Sequence, residues 1–226
     1  MFRDREKAGK LLSELLKKYG VDKENTVILA IPRGGVPVAY EVSKKLGIPF
    51  SLVITKKLAP LREPEAAFGA IAPDSSQVID EVYMKYMGVF SSELEIVREN
   101  ALKEIKNRII KYLNGKETNL EGKDVIIIDD GIATGYTAIA AAMYVKNKGA
   151  NKVYLAAPVC PTDSIPRVKK YFNDVFCYEK SDSPFFGVGA FYEDFRQVSD
   201  HEMFFIIEEA KKDGLFYIKN ALGGRN

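Results

Sequence analysis

Val125-Ile126-Ile127-Ile128-Asp129-Asp130-Gly131-Ile132-Ala133-Thr134-Gly135-Tyr136-Thr137 is the stretch that decides the fold. Four consecutive aliphatic residues read as a strand buried on both faces, as in a parallel sheet covered by helices. The two carboxylates that follow then stand at the carboxyl edge of that sheet, where open α/β folds bind ligands. Gly131 to Thr137 is a loop of small and hydroxyl-bearing residues entering a helix. Its backbone N–H groups and the Thr134 and Thr137 hydroxyls can converge on an anion at the positive helix end, with phosphate preferred. Two carboxylates beside a phosphate would repel it unless they have another task. A ribose diol suits them, because carboxylates accept hydrogen bonds from hydroxyls. A ribose 5-phosphate satisfies both halves of the motif.

The surrounding pattern places this motif in a larger sheet. Leu11, Leu12, Leu15 and Leu16 recur at helical spacing among lysines and glutamates, which predicts an amphipathic helix over about 5–20, ended by Gly20. Thr26 to Ile31 reads as a strand, Pro32-Arg33-Gly34-Gly35 as a glycine loop, Val36 to Leu46 as a helix and Phe50 to Thr55 as the next strand. Lys56 to Ser76 contains Pro60, Pro64 and Pro73 and reads as a mobile loop with a short hairpin near Phe68 to Ile71. A long helix, capped by Ser91 or Ser92, runs to Gly115. After the central motif, Thr137 to Lys148 reads as an alanine-rich helix and Val153 to Val159 as another buried strand. A short helix, an apolar segment at Val175 to Tyr178, the aromatic stretch Phe185 to Phe195 and a loose Gly223-Gly224-Arg225-Asn226 tail follow. Strands alternating with helices predict an α/β fold, a parallel twisted sheet flanked by helices.

Composition bounds the answer further. A chain of 226 residues, 46% hydrophobic, can bury one sizeable core, so one domain is expected, with a core over about 24–160 and a C-terminal cap over about 161–222. Lys plus Arg total 33 against 31 Asp plus Glu, a net charge of +2, so no broad nucleic-acid surface is expected. Cys160 and Cys177 lack metal-ligand spacing and read as free, partly buried thiols, and His201 is the single histidine. No stretch approaches the ~18 apolar residues of a spanning helix, and the charged N-terminus lacks the apolar run of a secretion signal. The expectation is a soluble, cytoplasmic protein without a membrane partner.

Over Val125 to Thr137 the sequence resembles the type I phosphoribosyltransferases, whose fingerprint is four hydrophobic residues, two acidic residues and a glycine- and threonine-bearing phosphate loop. The resemblance implies binding of 5-phosphoribosyl 1-pyrophosphate (PRPP) and transfer of its phosphoribosyl group to a nitrogen nucleophile, with release of pyrophosphate. Asp129 and Asp130 would hold the ribose 2′ and 3′ hydroxyls. Ile132, Ala133, Thr134, Gly135, Tyr136 and Thr137 would line the 5′-phosphate pocket. Pro32-Arg33-Gly34-Gly35 resembles the pyrophosphate loop, where glycines admit close backbone approach and Arg33 adds charge. That loop often carries a cis peptide just before its glycines, here a non-proline one. Lys56 to Ser76 occupies the place of the family's flexible catalytic loop, with Lys56, Lys57 and Arg62 as candidate pyrophosphate contacts. Arg196, after Phe195, is a further one. Mg2+ would be bound through PRPP oxygens, with Asp129 and Asp130 as indirect metal contacts. A cap, or hood, is implied from the C-terminal region and the N-terminus, and a homodimer is in keeping with the family.

The chain also departs from a named branch of that family. The 6-oxopurine enzymes carry a lysine where this chain reads Val159-Cys160-Pro161, and an aspartate near the position of Ala190. Hypoxanthine and guanine are therefore not carried over, and the acceptor base is unassigned. Phe185 or Phe186 could stack on a planar base or simply pack in the cap. A phosphoacceptor receiver domain also ends a strand in paired aspartates, but near its chain start and without a Thr-Gly-x-Thr loop. A PRPP- or nucleotide-sensing regulator on the same fold is the second functional reading.

Overall fold

The computed structural model describes residues 1–217, and in it Leu12 and Leu16 are fully buried under the first helix, α1 (Arg5–Tyr19). Asp4 caps α1 by accepting from the Lys7 N–H at 2.8 Å, and Gly20 ends it at φ 77°, a left-handed turn that glycine enters without a Cβ penalty. Then come β1 (Thr26–Ala30), α2 (Gly35–Leu46) and β2 (Phe50–Leu52). Three short strands follow, β3 (Lys56–Leu58), β4 (Gly69–Ile71) and β5 (Gln77–Ile79), and then α3 (Glu81–Tyr86) and α4 (Ser91–Leu113). The second half runs β6 (Asp124–Ile128), α5 (Tyr136–Asn147), β7 (Lys152–Pro161), α6 (Ile165–Lys169), β8 (Asp174–Ser181) and α7 (Asp200–Lys212).

The main sheet has the order β2-β1-β6-β7-β8, and every pairing in it is parallel. Its two faces divide β1 and β6 by alternation. Ile28, Ala30, Ile126 and Ile128 join the core under α1, α2, α4 and α7, whereas Val27, Leu29, Val125 and Ile127 join the core under α5. Because both faces are covered, both sets must be apolar, and this is why the strands read as unbroken hydrophobic runs. From β1 the chain crosses outward to β2, while from β6 it crosses the other way to β7 and β8. The order therefore reverses between β1 and β6, and the crevice beyond their carboxyl ends is the place where open α/β sheets bind ligands.

The expected parallel sheet flanked by helices is what the chain forms, and its cap draws on both ends of the described chain. Phe2 pairs with Tyr192 in a parallel bridge, with Phe2 N–H donating to the Phe191 carbonyl at 2.7 Å and Glu193 N–H to the Phe2 carbonyl at 2.8 Å. Phe2 and Tyr192 are buried there with Val159, and Phe186, Val188, Phe191 and Phe195 pack against them.

Three expectations need correction, and one helix lay outside them. The hairpin expected near Phe68 to Ile71 is part of a larger unit: β3, β4 and β5 form an antiparallel three-stranded sheet, anchored by fully buried Leu58, Phe68 and Ile71. Strands of three residues are too short to show a readable alternation. Ser91 and Ser92 lie inside α4 rather than capping it; Phe90 holds the cap position and makes no side-chain cap bond. Cys160 and Cys177 are not free thiols. They form a disulfide, because the α6 crossover lays β8 beside β7 and brings their Cα atoms to 6.2 Å. Helix α7 was not expected, although Ser199 and Glu202 form a reciprocal capping box readable as Ser-x-x-Glu. The predicted tail at 223–226, and the last residues of the predicted cap, lie outside the described residues.

Candidate active site

Two loops leave the sheet at the switch point. The first, Pro32 to Gly35, follows β1; the Ile31 N–H donates to the Ile128 carbonyl at 2.9 Å, so the loop departs alongside the end of β6. Its Pro32–Arg33 peptide is cis. A Cβ on Gly34 would lie 2.1 Å from Asp130 Oδ2, and one on Gly35 would lie 2.7 Å from the Ile128 carbonyl oxygen. Gly34 has φ −61°, open to any residue, so space rather than backbone conformation requires glycine there. The loop thus lies directly on the acidic pair.

The second loop, Gly131 to Gly135, runs from the acidic pair into α5. Gly135 sits at φ 80° before the first turn and no side chain caps the helix start. The first N–H groups of a helix lack helical acceptors, so this end is a set of donors suited to an anion. The loop is pinned from outside: Ser164 Oγ donates to the Ala133 carbonyl at 2.7 Å, and Arg167 donates to the Thr134 carbonyl at 2.5 Å. Ile132 N–H donates to the Val159 carbonyl at 2.8 Å, and the Tyr136 hydroxyl to Asp80 Oδ2 at 3.0 Å. The Arg167 guanidinium also lies 5.0 Å from the Tyr136 ring centroid.

The two carboxylates differ in surroundings. Asp129 lies on the floor of a cleft of about 450 Å3, and its Oδ1 accepts from the Asp130 N–H at 2.9 Å. Burial first, and the neighbouring Asp130 carboxylate second, push the Asp129 carboxyl well above the usual range. Asp130 instead pairs with Arg5, whose Nε donates to its Oδ2 at 2.8 Å.

The same cleft is walled by Lys56, Lys57, Leu61, Asn100, Glu104 and Arg108, with Thr137 also lining it. Lys56 Nζ is held by Glu104 at 2.8 Å, and Arg108 pairs with the same carboxylate. These two cations help keep Glu104 below its ordinary range against its own burial. Lys57 is exposed and has no ion-pair partner among the described residues. Arg33 reaches Asp200 at the start of α7, with Nη1 3.3 Å from Oδ1. Lys111, Tyr112 and Arg33 together pull Asp200 down to about 2.

Four sequence candidates lie apart from this group. Arg62 donates to the Met87 carbonyl and is not among the residues lining the cleft. The Arg196 side chain is engaged by Glu202 and Asp194. Phe185 is 92% exposed, whereas Phe186 packs within the cap, 5.4 Å from the Phe191 ring. Sequence reading missed Arg5, Asp80, Ser164, Arg167 and Asp200. Each lies far along the chain from the loop it supports, and none belongs to a local spacing that could announce it.

A model of the phosphoribosyl transferase domain matches residues 4–194. The chain belongs to the phosphoribosyltransferase family. Its matched span includes α1 and both site loops and ends before α7. A Mycobacterium tuberculosis protein provisionally named a phosphoribosyl transferase is 36% identical over 214 residues, covering 94% of this chain and 48% of that protein. The chain therefore spans about half the length of this curated relative. The uracil phosphoribosyltransferase of Clostridioides difficile is 35% identical over 72 residues, 32% of this chain and 34% of the enzyme. Among solved structures, TT1426 from Thermus thermophilus superposes with a TM-score of 0.74 at 33% identity, over 92% of this chain and 98% of that one. The described residues include no helix long and apolar enough to cross a membrane.

Proposed function

We propose that this phosphoribosyltransferase binds PRPP in the cleft at the switch point and moves its 5-phosphoribosyl group to a nitrogen nucleophile, releasing pyrophosphate. One observation carries the reading: the acidic pair stands between a glycine loop lying on Asp130 and a helix-entry loop rich in hydroxyls. In this reading Asp129 and Asp130 receive the ribose hydroxyls, and Ile132 to Thr137 hold the 5′-phosphate through N–H groups and hydroxyls. Arg33 and the backbone of Gly34 and Gly35 meet the pyrophosphate, joined by Lys56 and Lys57 from β3. Lys57, without an ion-pair partner among the described residues, is the readier of the two.

In the reaction the C1–oxygen bond to pyrophosphate breaks while the acceptor nitrogen bonds to C1, through a transition state with oxocarbenium character. The electron pair of the broken bond leaves with pyrophosphate, where Arg33, Lys57 and loop N–H groups meet the developing charge. Asp129 and Asp130 fix the ribose and place negative potential beside the cationic carbon. The Asp129 carboxylate in the cleft and the adjacent Asp130 are hard oxygen donors that fit Mg2+, so they would hold it indirectly while PRPP supplies most ligands. When bound, Mg2+ neutralises charge on the leaving pyrophosphate.

The acceptor is taken as a nucleobase, and the partial likeness to a uracil enzyme makes uracil the first to test. A cytoplasmic homodimer belongs to the same reading, with light scattering of the purified chain as the test of assembly. A second reading, a PRPP- or nucleotide-sensing regulator, is favoured by one observation: Arg33 and Lys56 are already engaged by Asp200 and Glu104. Calorimetric titration with PRPP and Mg2+, followed by a pyrophosphate-release screen across bases, separates the two. Asp130→Asn should lower turnover at least ~10-fold, about 1.4 kcal/mol. Unchanged binding and turnover in that variant would reject the assignment, and binding without release for any base would favour the regulator.

A further inference from the structure

Arg5 and Asp130 stand 125 positions apart in the chain, yet Arg5 Nε donates to Asp130 Oδ2 at 2.8 Å. The two side chains are only 11% and 14% exposed. The guanidinium is held on two further sides. Its Nη1 donates to the Arg196 carbonyl at 2.8 Å, and its Cζ lies 4.1 Å from the Phe195 ring centroid. A planar guanidinium fixed by two hydrogen bonds and an aromatic face keeps little freedom, which a flexible ammonium in its place would regain.

The cap grips the main chain of the same aspartate as well. The Tyr192 hydroxyl donates to the Asp130 carbonyl at 2.6 Å, and Tyr192 is the residue that pairs with Phe2. An ionised carboxylate offers about four acceptor sites, so one bond to Arg5 leaves others for a ligand. Left alone, Asp130 would be pushed from its place by the adjacent Asp129 and would sample several rotamers.

We propose that Arg5 is a positioning residue for the phosphoribosyl site. It fixes the Asp130 carboxylate in one rotamer, leaves its remaining acceptor sites to the ribose hydroxyls, and so makes ligand binding depend on the closed N-terminal cap. Arg5 acts through Asp130 and not on the reacting atoms. This role rests on the PRPP reading given above.

The test is a double-mutant cycle on PRPP affinity with Mg2+, using Arg5→Gln and Arg5→Ala in the parent and in Asp130→Asn. Arg5→Gln is expected to weaken PRPP binding ~10-fold or more in the parent and less than ~2-fold in the Asp130→Asn background, since residues acting through one another are not additive. Arg5→Lys should recover part of the loss. An equal loss in both backgrounds would mean a general structural role and would overturn the proposal, as would an Arg5→Gln variant that binds like the parent. Should Arg5→Ala fail to fold, Arg5→Gln keeps the side-chain stem against Phe195 and carries the cycle. The carboxyl carbon signal of Asp130, read by NMR without ligand, gives a separate answer. It should move in Arg5→Gln, and an unmoved signal would overturn the Arg5 role whatever the ligand. A parent that binds no PRPP while the signal still moves would reject the functional reading and leave the ion pair intact.

Discussion

Glycine and aspartate define this site through opposite needs, one for space and one for a partner. Gly34→Ala would place a methyl 2.1 Å from Asp130 Oδ2 in a position whose backbone accepts alanine freely. The expected outcome is a correctly folded variant whose PRPP affinity drops ~10-fold or more, read by calorimetry, because the clash must be relieved by moving the aspartate. Asp129 behaves differently. Its carboxyl is raised above the ordinary value chiefly by burial, so the stability tied to its protonated form is complete below the unfolded value of 3.8 and is lost as pH rises through the folded value. Asp129→Asn removes that loss. Its thermal midpoint should gain on the parent as the pH is raised above 4, and a difference independent of pH would contradict the burial argument. At this scale the sequence was informative where residues were adjacent. The Asp129-Asp130 pair and the Thr-Gly-x-Thr loop stood in one segment, whereas Arg5, Asp80 and Arg167 gave no local sign of reaching them.

Among the elements, the long-range strands were readable and the short ones were not. β1, β6 and β7 are buried on both faces, and a continuous apolar run survives in the sequence as their trace. β3, β4 and β5 are three residues each and owe their existence to Leu58, Phe68 and Ile71 meeting the core of the main sheet. Within the small sheet β4 and β5 approach closely at Gly69, where a Cβ would lie 2.2 Å from the Val78 carbonyl oxygen. Helix α7 carries a local signal in its Ser199–Glu202 capping box, and it places Asp200 against Arg33, Lys111 and Tyr112. Ser199→Ala should reduce stability by about 1 kcal/mol in denaturant unfolding. Because Asp200 begins the same helix, the variant should also loosen Arg33 and weaken PRPP binding; an unchanged affinity would detach α7 from the site.

For the whole molecule, the crossovers decide what meets. The α6 crossover sets β8 parallel to β7 and joins Cys160 to Cys177 across 17 residues of chain. Reduction, or Cys177→Ser, should cost about 3 kcal/mol of stability, the amount expected for closing a loop of roughly this length. A variant as stable as the oxidised parent would show that the strand pairing alone carries that edge. By itself the sequence determined the alternation of strands and helices, the acidic pair at a strand end and the two loops beside it, because each is written in neighbouring residues and in the chemistry of their side chains. Only the tertiary structure decided that the reversal of strand order falls between β1 and β6, that Arg5 seats on Asp130, that Arg33 is tied to Asp200 and that the two cysteines are bonded. Those contacts join residues 17 to 167 positions apart, and their geometry is set by how the covered faces of one sheet pack, which no local spacing records.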